Sequence, residues 1–333
     1  MRYKDRIRKD KIQEIAMNAA LGFILLAFAV IMIIVVHKGI GTFYHSFVIE
    51  ENRVVKLDSK ADIYYKYNNA AEISLKDREK IDELISQDKI EIRPDFSIIT
   101  NGDSTFAENA GVKWSLLGSL ITVITAIFIA MPLGIAAGVY IEEFVKNRFV
   151  ASSIDMAINN LSSIPSVIYG VVALYVLIGT FSLPRSSFIV AAFTLTLMAV
   201  PLIYVSTRQA LASIPLSIKN AGLGLGLSHT QVVTKILLPI ALPKITTGVI
   251  MAIARIFGEA APLILVGSVA FIANAPSKIL DPIPLMPTQI YLWTQNIDTA
   301  FIEKSFGAII ILLFINLMVS IVSQRLTNKS EGL

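Results

Sequence analysis

The chain has 333 residues, of which 54% are hydrophobic and only 16% charged. Soluble domains average about 25% charged residues, so this composition and the mean hydropathy of +0.66 predict a protein with several membrane spans. The net charge of +4 is too small to indicate a nucleic-acid partner, and the lack of cysteine excludes disulfides, thiolate metal sites and cysteine catalysis. His37, His45 and His229 show no metal-ligand spacing and are expected to be ordinary loop residues, so we expect neither a metal nor a cofactor.

The first predicted span covers residues 17–36, an uncharged stretch long enough to cross about 30 Å of hydrocarbon. A cleaved signal peptide would have a shorter apolar core and a small-residue cleavage site, so we interpret this segment as a retained span. Six basic residues precede it: Arg2, Lys4, Arg6, Arg8, Lys9 and Lys11.

Residues 37–113 are of a different kind, because they contain 14 acidic and 11 basic residues. This segment is too polar for lipid and is predicted to be an extracytoplasmic insert. Within it, residues 74–87 are typical of a short helix, with Ser74 as the cap and Asp77 three positions on. The apolar stripe of that helix is Leu75, Ile81, Leu84 and Ile85. The insert either covers a docking surface for a binding protein or acts as a spacer.

Five further spans are predicted, which makes six in an all-α, polytopic membrane protein. They are 116–141, 157–181, 188–206, 245–273 and 305–324. If the N-terminus lies inside, the cytoplasmic segments carry fourteen Lys and Arg and the short outer loops three, so both termini are expected in the cytoplasm. The predicted domains are 1–36 (tail and first helix), 37–113 (insert), 114–326 (five-helix core with a cytoplasmic loop at 213–239) and 327–333 (tail).

The third and fifth spans contain residues that break helices. Pro165 lies in the third span, and Gly258 and Pro262 lie in the fifth. Proline removes a backbone donor and clashes with the preceding turn. Within a membrane, such breaks persist where neighbouring helices or a water-lined cavity satisfy the freed groups. A simple packing kink is the alternative interpretation, above all for Pro165.

The fifth predicted span also carries two charges, Arg255 and Glu259, near its centre. Each costs roughly 2.5–3.5 kcal/mol there. Four positions apart on one helix, they could pair with each other and face a protein interior. Alternatively, they line a pathway, since the planar fork of arginine suits a tetrahedral oxyanion. One arginine cannot neutralise a multiply charged anion, so we expect a second subunit to supply another cation.

The loop at 213–239 is rich in glycine but lacks the spacing of a nucleotide-binding loop. We predict two short helices that meet at a turn. Ser213 would cap the first, Gly226 would end it, and Ser228 would begin the second with a capping box to the glutamine three residues on. Leucine alternates with glycine before Ser228, which on periodicity alone would also fit a strand. Two helices here would present a compact apolar knob that suits a groove on a partner.

This loop resembles the EAA loop of ABC importer permeases. The pattern is A-x-x-x-x-G, nine residues and then I-x-L-P, carried by Ala221, Gly226, Ile236, Leu238 and Pro239. Four other stretches within 113–326 are similar to the phosphate-specific, PstA-type branch: PLGIAAGVYIEEF, NNLSSIPSVIYG, ARIFGEAAPLILVG and PTQIYLW. Three positions depart from the family pattern: Asn220 replaces the usual glutamate, Gly222 an alanine and Asn159 an aspartate.

The resemblance implies a type I importer fold and a transporter subunit without an ATP site of its own, in the inner membrane. It implies high-affinity phosphate import through Arg255 and Glu259, with residues 213–239 docked on an ATPase. The implied partners are a sister permease (PstC type), two ATPase subunits (PstB type) and an extracytoplasmic phosphate-binding protein (PstS type). The alternatives are a permease for another oxyanion, such as sulfate or molybdate, and a stand-alone secondary carrier. Such carriers often show paired repeats, and no clear repeat is visible here. A membrane enzyme is disfavoured because the sequence shows no nucleophile–base or metal constellation.

Overall fold

The computed structural model describes residues 3–50, 53–57, 62, 65–66, 74–268, 271–272 and 278–331. The chain is mostly helical and divides into two compact units. The first comprises Met1–Phe96 with Asp298–Ile310, and the second comprises Ser97–Ile297 with Ile311–Leu333. The basic side chains ahead of the first span and the apolar side chain predicted at position 75 lie outside the part described.

The first unit contains a long helix followed by a small sheet. Its elements are helix α1 (Tyr3–Gly39), a 3₁₀ turn (Ile40–Phe43), strands β1 (Tyr44–Glu50) and β2 (Arg53–Lys56), helix α2 (Leu75–Ser86) and strand β3 (Ile90–Pro94). The antiparallel sheet has the order β2-β1-β3, with Val48 opposite both Val55 and Ile90. The predicted helix at 74–87 is confirmed, and Ser74 Oγ caps it by accepting the Asp77 amide at 3.2 Å. The sheet was not predicted.

A buried carboxylate holds the sheet to the segment that follows it. Asp62 accepts a hydrogen bond from the Ser46 amide (2.9 Å) and pairs with Lys66 Nζ at 2.7 Å and His45 Nδ1 at 3.2 Å. His45 therefore lies in a strand, and the expectation of a loop position was wrong. His229 is likewise helical, and His37 lies in the last turn of α1. Burial lowers the pKa of His45, and the Asp62 charge opposes this shift.

The second unit contains the remaining helices, three of which carry a π-helical turn. They are α3 (Ser97–Thr100), α4 (Lys113–Val139, continued by a π turn, Tyr140–Phe144), α5 (Arg148–Ser163), α6 (Ser166–Ala173, continued by a π turn, Leu174–Thr180), α7 (Phe188–Ala212), α8 (Leu216–Gly224), α9 (His229–Val232, continued by a π turn, Val233–Leu237), α10 (Leu238–Phe257), α11 (Ala261–Leu265) and α12 (Met286–Thr294). Helix α13 (Thr299–Glu331) begins in the first unit and ends in the second.

Within the described part of the chain, five helical stretches are long and apolar enough to cross a membrane: Met17–Phe43, Lys113–Phe144, Phe188–Ala212, His229–Phe257 and Thr299–Arg325. Helices α5 and α6 make a sixth span if the bent pair counts as one, and they meet at 99°. The prediction of a polytopic helical membrane protein is therefore confirmed, with five spans among the described residues, or six, as predicted, when the bent pair counts as one span.

Helix α7 lies at the centre of the second unit and packs against α4 and α10. Its Leu195, Ile203 and Tyr204 are almost fully buried. Small residues allow the helices to approach closely, as is common between membrane helices. A Cβ atom on Gly248 of α10 would lie only 2.2 Å from the Ser206 Cβ of α7, so that position accepts no side chain without displacement.

The fifth span differs from its predicted bounds. Its helix begins at His229 and ends at Phe257, whereas the prediction was 245–273. A proline ring clashes with the carbonyl four residues earlier, so Pro262 cannot extend a helix that includes Gly258. The helix ends at Gly258 instead, and Pro262 lies in the first turn of α11, where its missing donor does little harm. Residues 269–270 and 273 of the predicted span lie outside the described residues.

Candidate transport site

Arg255 lies in the last turn of α10, and its side chain is exposed. Glu259 is half-buried and lies beyond the helix, because Gly258 terminates it. The two charges are therefore not one turn apart on a continuous helix. Among the described residues, neither side chain has an ion pair or a hydrogen bond. The alternative interpretation, an ion pair within one helix, does not apply, since the helix ends before Glu259.

The break at Gly258 faces helix α13. A Cβ atom at Gly258 would lie 3.3 Å from the Asn316 Nδ2 atom. The Oδ1 atom of the same amide is buried and has no hydrogen-bond partner within the part of the chain described. A polar amide from another helix is thus packed against the point where α10 ends.

The predicted break at Pro165 is present and is far larger than a packing kink. Ile164, the residue before the proline, has an extended backbone (φ −67°, ψ 138°), which is the conformation that a following proline favours. The Tyr169 hydroxyl donates to the Leu161 carbonyl at 2.7 Å and so joins α6 to the end of α5. The 99° angle between the two helices is held by a side-chain hydrogen bond across the break.

The two broken spans meet in the second unit. Helix α6 packs against α11, where Gly170 is so close to Pro262 that a Cβ atom would lie 2.7 Å from the proline Cα and carbonyl oxygen. Tyr169, the preceding residue, lies within electrostatic reach of the Arg255 guanidinium. The structure therefore brings together three parts of the candidate site: Arg255, Pro262 and the segment that follows Pro165. Pro165 and Pro262 are 97 positions apart in the sequence.

The loop at 213–239 contains two helices, as predicted, but its first cap differs. Ser213 ends α7, where its hydroxyl donates to the Ala210 carbonyl at 2.8 Å, and Pro215 occupies the cap position of α8. Gly226 lies just past α8 with φ +84°, a conformation that favours glycine. The capping box at Ser228 is complete, and the helix that it starts runs without a break into α10.

Two helical segments of this loop pack closely, and three leucines remain outside. A Cβ atom on Gly222 would lie 2.9 Å from Ile236 Cδ1, which explains why glycine replaces alanine at that position. The exposed side chains are Leu216 (72%), Leu223 (42%) and Leu225 (83%). Asn220 and Ala221 belong to α8, Ile236 to the π turn, and Leu238 and Pro239 begin α10.

A group of charged side chains was missed in the sequence. The Arg208 guanidinium contacts both Glu142 (Nε to Oε2, 2.8 Å) and Asp155, and the Tyr204 hydroxyl donates to Asp155 at 2.6 Å. These residues border an open cavity of about 210 Å³, which Asn159 also lines. Glu142, Asp155 and Arg208 each lie just outside a predicted span, where charges are ordinary, so only the adjacent pair of glutamates in YIEEF could have drawn attention to this group.

The PTQIYLW stretch supports a half-buried acid, Asp103. The side chains of Gln289 and Trp293 on α12 donate to the Asp103 carboxylate, and both residues are only 2% exposed. Burial raises the pKa of Asp103, and these hydrogen bonds oppose the shift. The motif therefore anchors the segment that precedes α4.

Comparisons with known proteins agree with this architecture. Residues 130–330 match the profile of the family described as binding-protein-dependent transport system inner membrane component. The chain is 32% identical over 212 residues to the phosphate transport system permease protein PstA of Haemophilus influenzae (62% of this chain, 73% of that protein). It is 30% identical over 212 residues to the probable ABC transporter permease protein YqgI of Bacillus subtilis (60% and 71%).

Solved structures show the same fold. The inward-facing MetNI methionine ABC transporter superposes with a TM-score of 0.51 at 20% identity, and the aligned region covers 66% of this chain and 97% of the chain from that transporter. A bacterial ABC transporter involved in alginate import gives a TM-score of 0.51 at 14% identity (96% and 99%). The chain therefore belongs to the family of inner membrane components of binding-protein-dependent transport systems, the membrane subunits of ABC importers.

Proposed function

We propose that this chain is the permease subunit of an ATP-driven, high-affinity phosphate importer and forms half of its translocation pathway. The observation that carries the proposal is the Arg255 guanidinium, exposed and without an ion pair among the described residues, where two broken spans meet. Relatives named as phosphate transport permeases support phosphate as the substrate. The proposed domains keep the predicted bounds, 1–36, 37–113, 114–326 and 327–333.

The chemistry of the side chains around Arg255 suits a protonated oxyanion. The guanidinium presents two parallel donors to a tetrahedral oxyanion. Glu259 lies four residues on and is half-buried, and its carboxylate can accept a hydrogen bond from the proton that phosphate retains near neutral pH. Sulfate has no such proton, so the pair would favour phosphate. A cation from the sister permease (PstC type) would complete the neutralisation.

The loop at 213–239 is the proposed docking element for an ATPase subunit of the PstB type. Its support is the exposed leucines of α8 and its turn, since an apolar knob between two spans can insert into a groove. A binding protein of the PstS type would deliver phosphate on the opposite side. The excess of Lys and Arg in the loops on the 213–239 side supports a location with both termini in the cytoplasm.

The test is phosphate uptake by the complete transporter with Arg255→Gln, Arg255→Lys and the control Lys278→Gln, an exposed lysine of a connecting segment. Charge-assisted hydrogen bonds contribute about 1.5–3 kcal/mol, so Arg255→Gln should lower uptake at least about tenfold. Lysine should recover little, because it lacks the bidentate geometry. The control should transport normally, and all variants should co-purify with the partners.

Unchanged uptake in Arg255→Gln would contradict the proposal. Loss of the protein from the membrane in both Arg255 variants would assign the residue a structural role. Competition by sulfate or molybdate distinguishes the substrates, since a phosphate importer should ignore both. Uptake by this chain without any ATPase would identify a secondary carrier instead.

A further inference from the structure

The π turn Tyr140–Phe144 carries two adjacent glutamates at the end of α4. Consecutive side chains of an α-helix point roughly 100° apart, and the wider π turn also directs neighbouring side chains in different directions. Glu142 and Glu143 therefore reach different neighbours. Their side chains are only 21% and 7% exposed, so solvent and salt screen their interactions less than those of surface pairs.

Glu142 connects the turn to two transmembrane elements. Its carboxylate accepts from Arg208 of α7, with Nε at 2.8 Å. The same guanidinium pairs through Nη1 with Asp155 of α5, and the Tyr204 hydroxyl fixes the other Asp155 oxygen at 2.6 Å. A displacement of Glu142 therefore acts on α5 through a single arginine. Helix α5 has no fully buried residue, so few other contacts oppose its movement.

Glu143 connects the turn to the loop at 213–239. Its carboxylate binds Lys219 Nζ of α8 at 2.5 Å. Its backbone carbonyl contacts His229 Nε2, at the start of α9, at 2.7 Å, and the His229 ring packs edge-on against Phe144 with centroids 5.1 Å apart. Both helices of the loop are thus attached to the same five residues.

We propose that the turn Tyr140–Phe144 is the connector that transmits movement of the loop at 213–239 to helix α5. Movement of the loop pulls Glu143 through Lys219 and His229. Glu142, one residue earlier, passes the displacement to Arg208 and Asp155. The inference rests on the proposed function, because it takes residues 213–239 as the part that the ATPase moves.

The connection continues to the candidate transport site. Helix α5 ends at Ser163, and the Tyr169 hydroxyl joins α6 to its last turn through the Leu161 carbonyl. Helix α6 packs on α11 through Gly170, and the preceding residue, Tyr169, interacts electrostatically with Arg255. Contacts between named residues thus run from the loop at 213–239 to α6 and α11.

The decisive experiment is a charge exchange in the complete reconstituted transporter. The variants are Glu143→Lys, Lys219→Glu and the double variant, with Glu142→Gln on the second arm and Lys146→Gln as the control. Lys146 is exposed and lies two residues beyond the turn. The readout is the ratio of ATP hydrolysis with phosphate-loaded binding protein to hydrolysis without it, normalised to co-purified ATPase. Coupling between sites in proteins typically amounts to 5–150-fold, so each single variant should lower the ratio at least about fivefold.

The connector predicts that the double variant recovers the ratio, because the ion pair is re-formed with its charges exchanged while the His229 contact to the backbone carbonyl persists. It also predicts a lowered hydrolysis ratio in Glu142→Gln and a normal ratio in Lys146→Gln. Normal hydrolysis ratios in the single variants would overturn the proposal, and so would a lowered ratio that the double variant does not restore. If wild-type protein responds to sulfate or molybdate and not to phosphate, the substrate proposal fails, and the same comparison is made with the oxyanion that stimulates.

Discussion

The contact between Gly170 and Pro262 offers a sharp test of the candidate site, because it joins the two broken spans. Replacement by alanine would put a Cβ atom 2.7 Å from the Pro262 Cα and carbonyl oxygen and 3.1 Å from Leu265 Cδ1. The closest atoms belong to the backbone, so they cannot rotate away as a side chain can. Ordinary carbon contacts need about 3.5–4.0 Å, so α6 and α11 must separate by about 1 Å.

Overpacking of this kind costs about 1–3 kcal/mol. Alanine also favours helix over glycine by about 0.8–1 kcal/mol, so the net loss relative to the wild-type protein should be at most about 2 kcal/mol. Gly179→Ala in the π turn of the same span is the matched control, because its Cβ atom would meet nothing closer than 3.6 Å. Thermal unfolding of the purified protein measures the difference, at about 2–4 °C for each kcal/mol in soluble domains of 150–250 residues.

Phosphate uptake is the second measurement, since separation of α6 from α11 shifts Tyr169 relative to Arg255. We expect Gly170→Ala to unfold several degrees below Gly179→Ala, at about 2–4 °C for each kcal/mol, and to take up less phosphate. Equal melting temperatures and equal uptake in the two variants would show that the close approach is not needed. The junction of the broken spans would then have no part in transport.

Three further predictions concern polar groups. Burial raises the pKa of Asp103 above 3.8. The stability that the protonated carboxyl contributes is therefore present at low pH and is lost as the pH rises through the folded-state pKa. Asp103→Asn should raise the melting temperature at pH 7, and an equal gain at pH 3 would refute this. Asp62→Ala leaves Lys66 buried without its carboxylate and should cost about 3–5 kcal/mol, seen as faster proteolysis of the insert than in Lys56→Ala, a pair that is more exposed. Glu259→Gln should reduce the preference for phosphate over sulfate in stimulated ATP hydrolysis, and an unchanged ratio would contradict the assigned role.

The spans and their breaks were predictable because each rests on local chemistry. Hydropathy located the membrane helices apart from the fifth, which was predicted at 245–273 and lies at His229–Phe257. Pro165 and Pro262 marked the regions where a helix is interrupted. The capping box at Ser228 was also legible, since its two partners are three residues apart. These features need no knowledge of distant parts of the chain.

Contacts between distant segments were not predictable. Arg208 and Glu142 are 66 positions apart, and each alone looks like an ordinary charge at the end of a span. The strands of the insert were missed because β2 and β3 have only four and five residues and because β1 and β2 lack a strict alternation of polar and apolar residues. The possible ion pair between Arg255 and Glu259 is absent for a different reason. Spacing of four residues implies contact only while the helix continues, and here it ends between them.

The end of helix α10 at Gly258 explains why Arg255 does not require a carboxylate partner. The last turn of a helix exposes carbonyl groups that lack partners and carry partial negative charge, so a cation there is stabilised by roughly 0.3–1 kcal/mol. At the centre of a continuous span, the same arginine would need an ion partner or water. The Gly258 break therefore has two effects: it lowers the cost of the charge, and it keeps Glu259 off the guanidinium. An arginine stabilised by the helix end retains its donors for an anion, which is what a pathway residue requires.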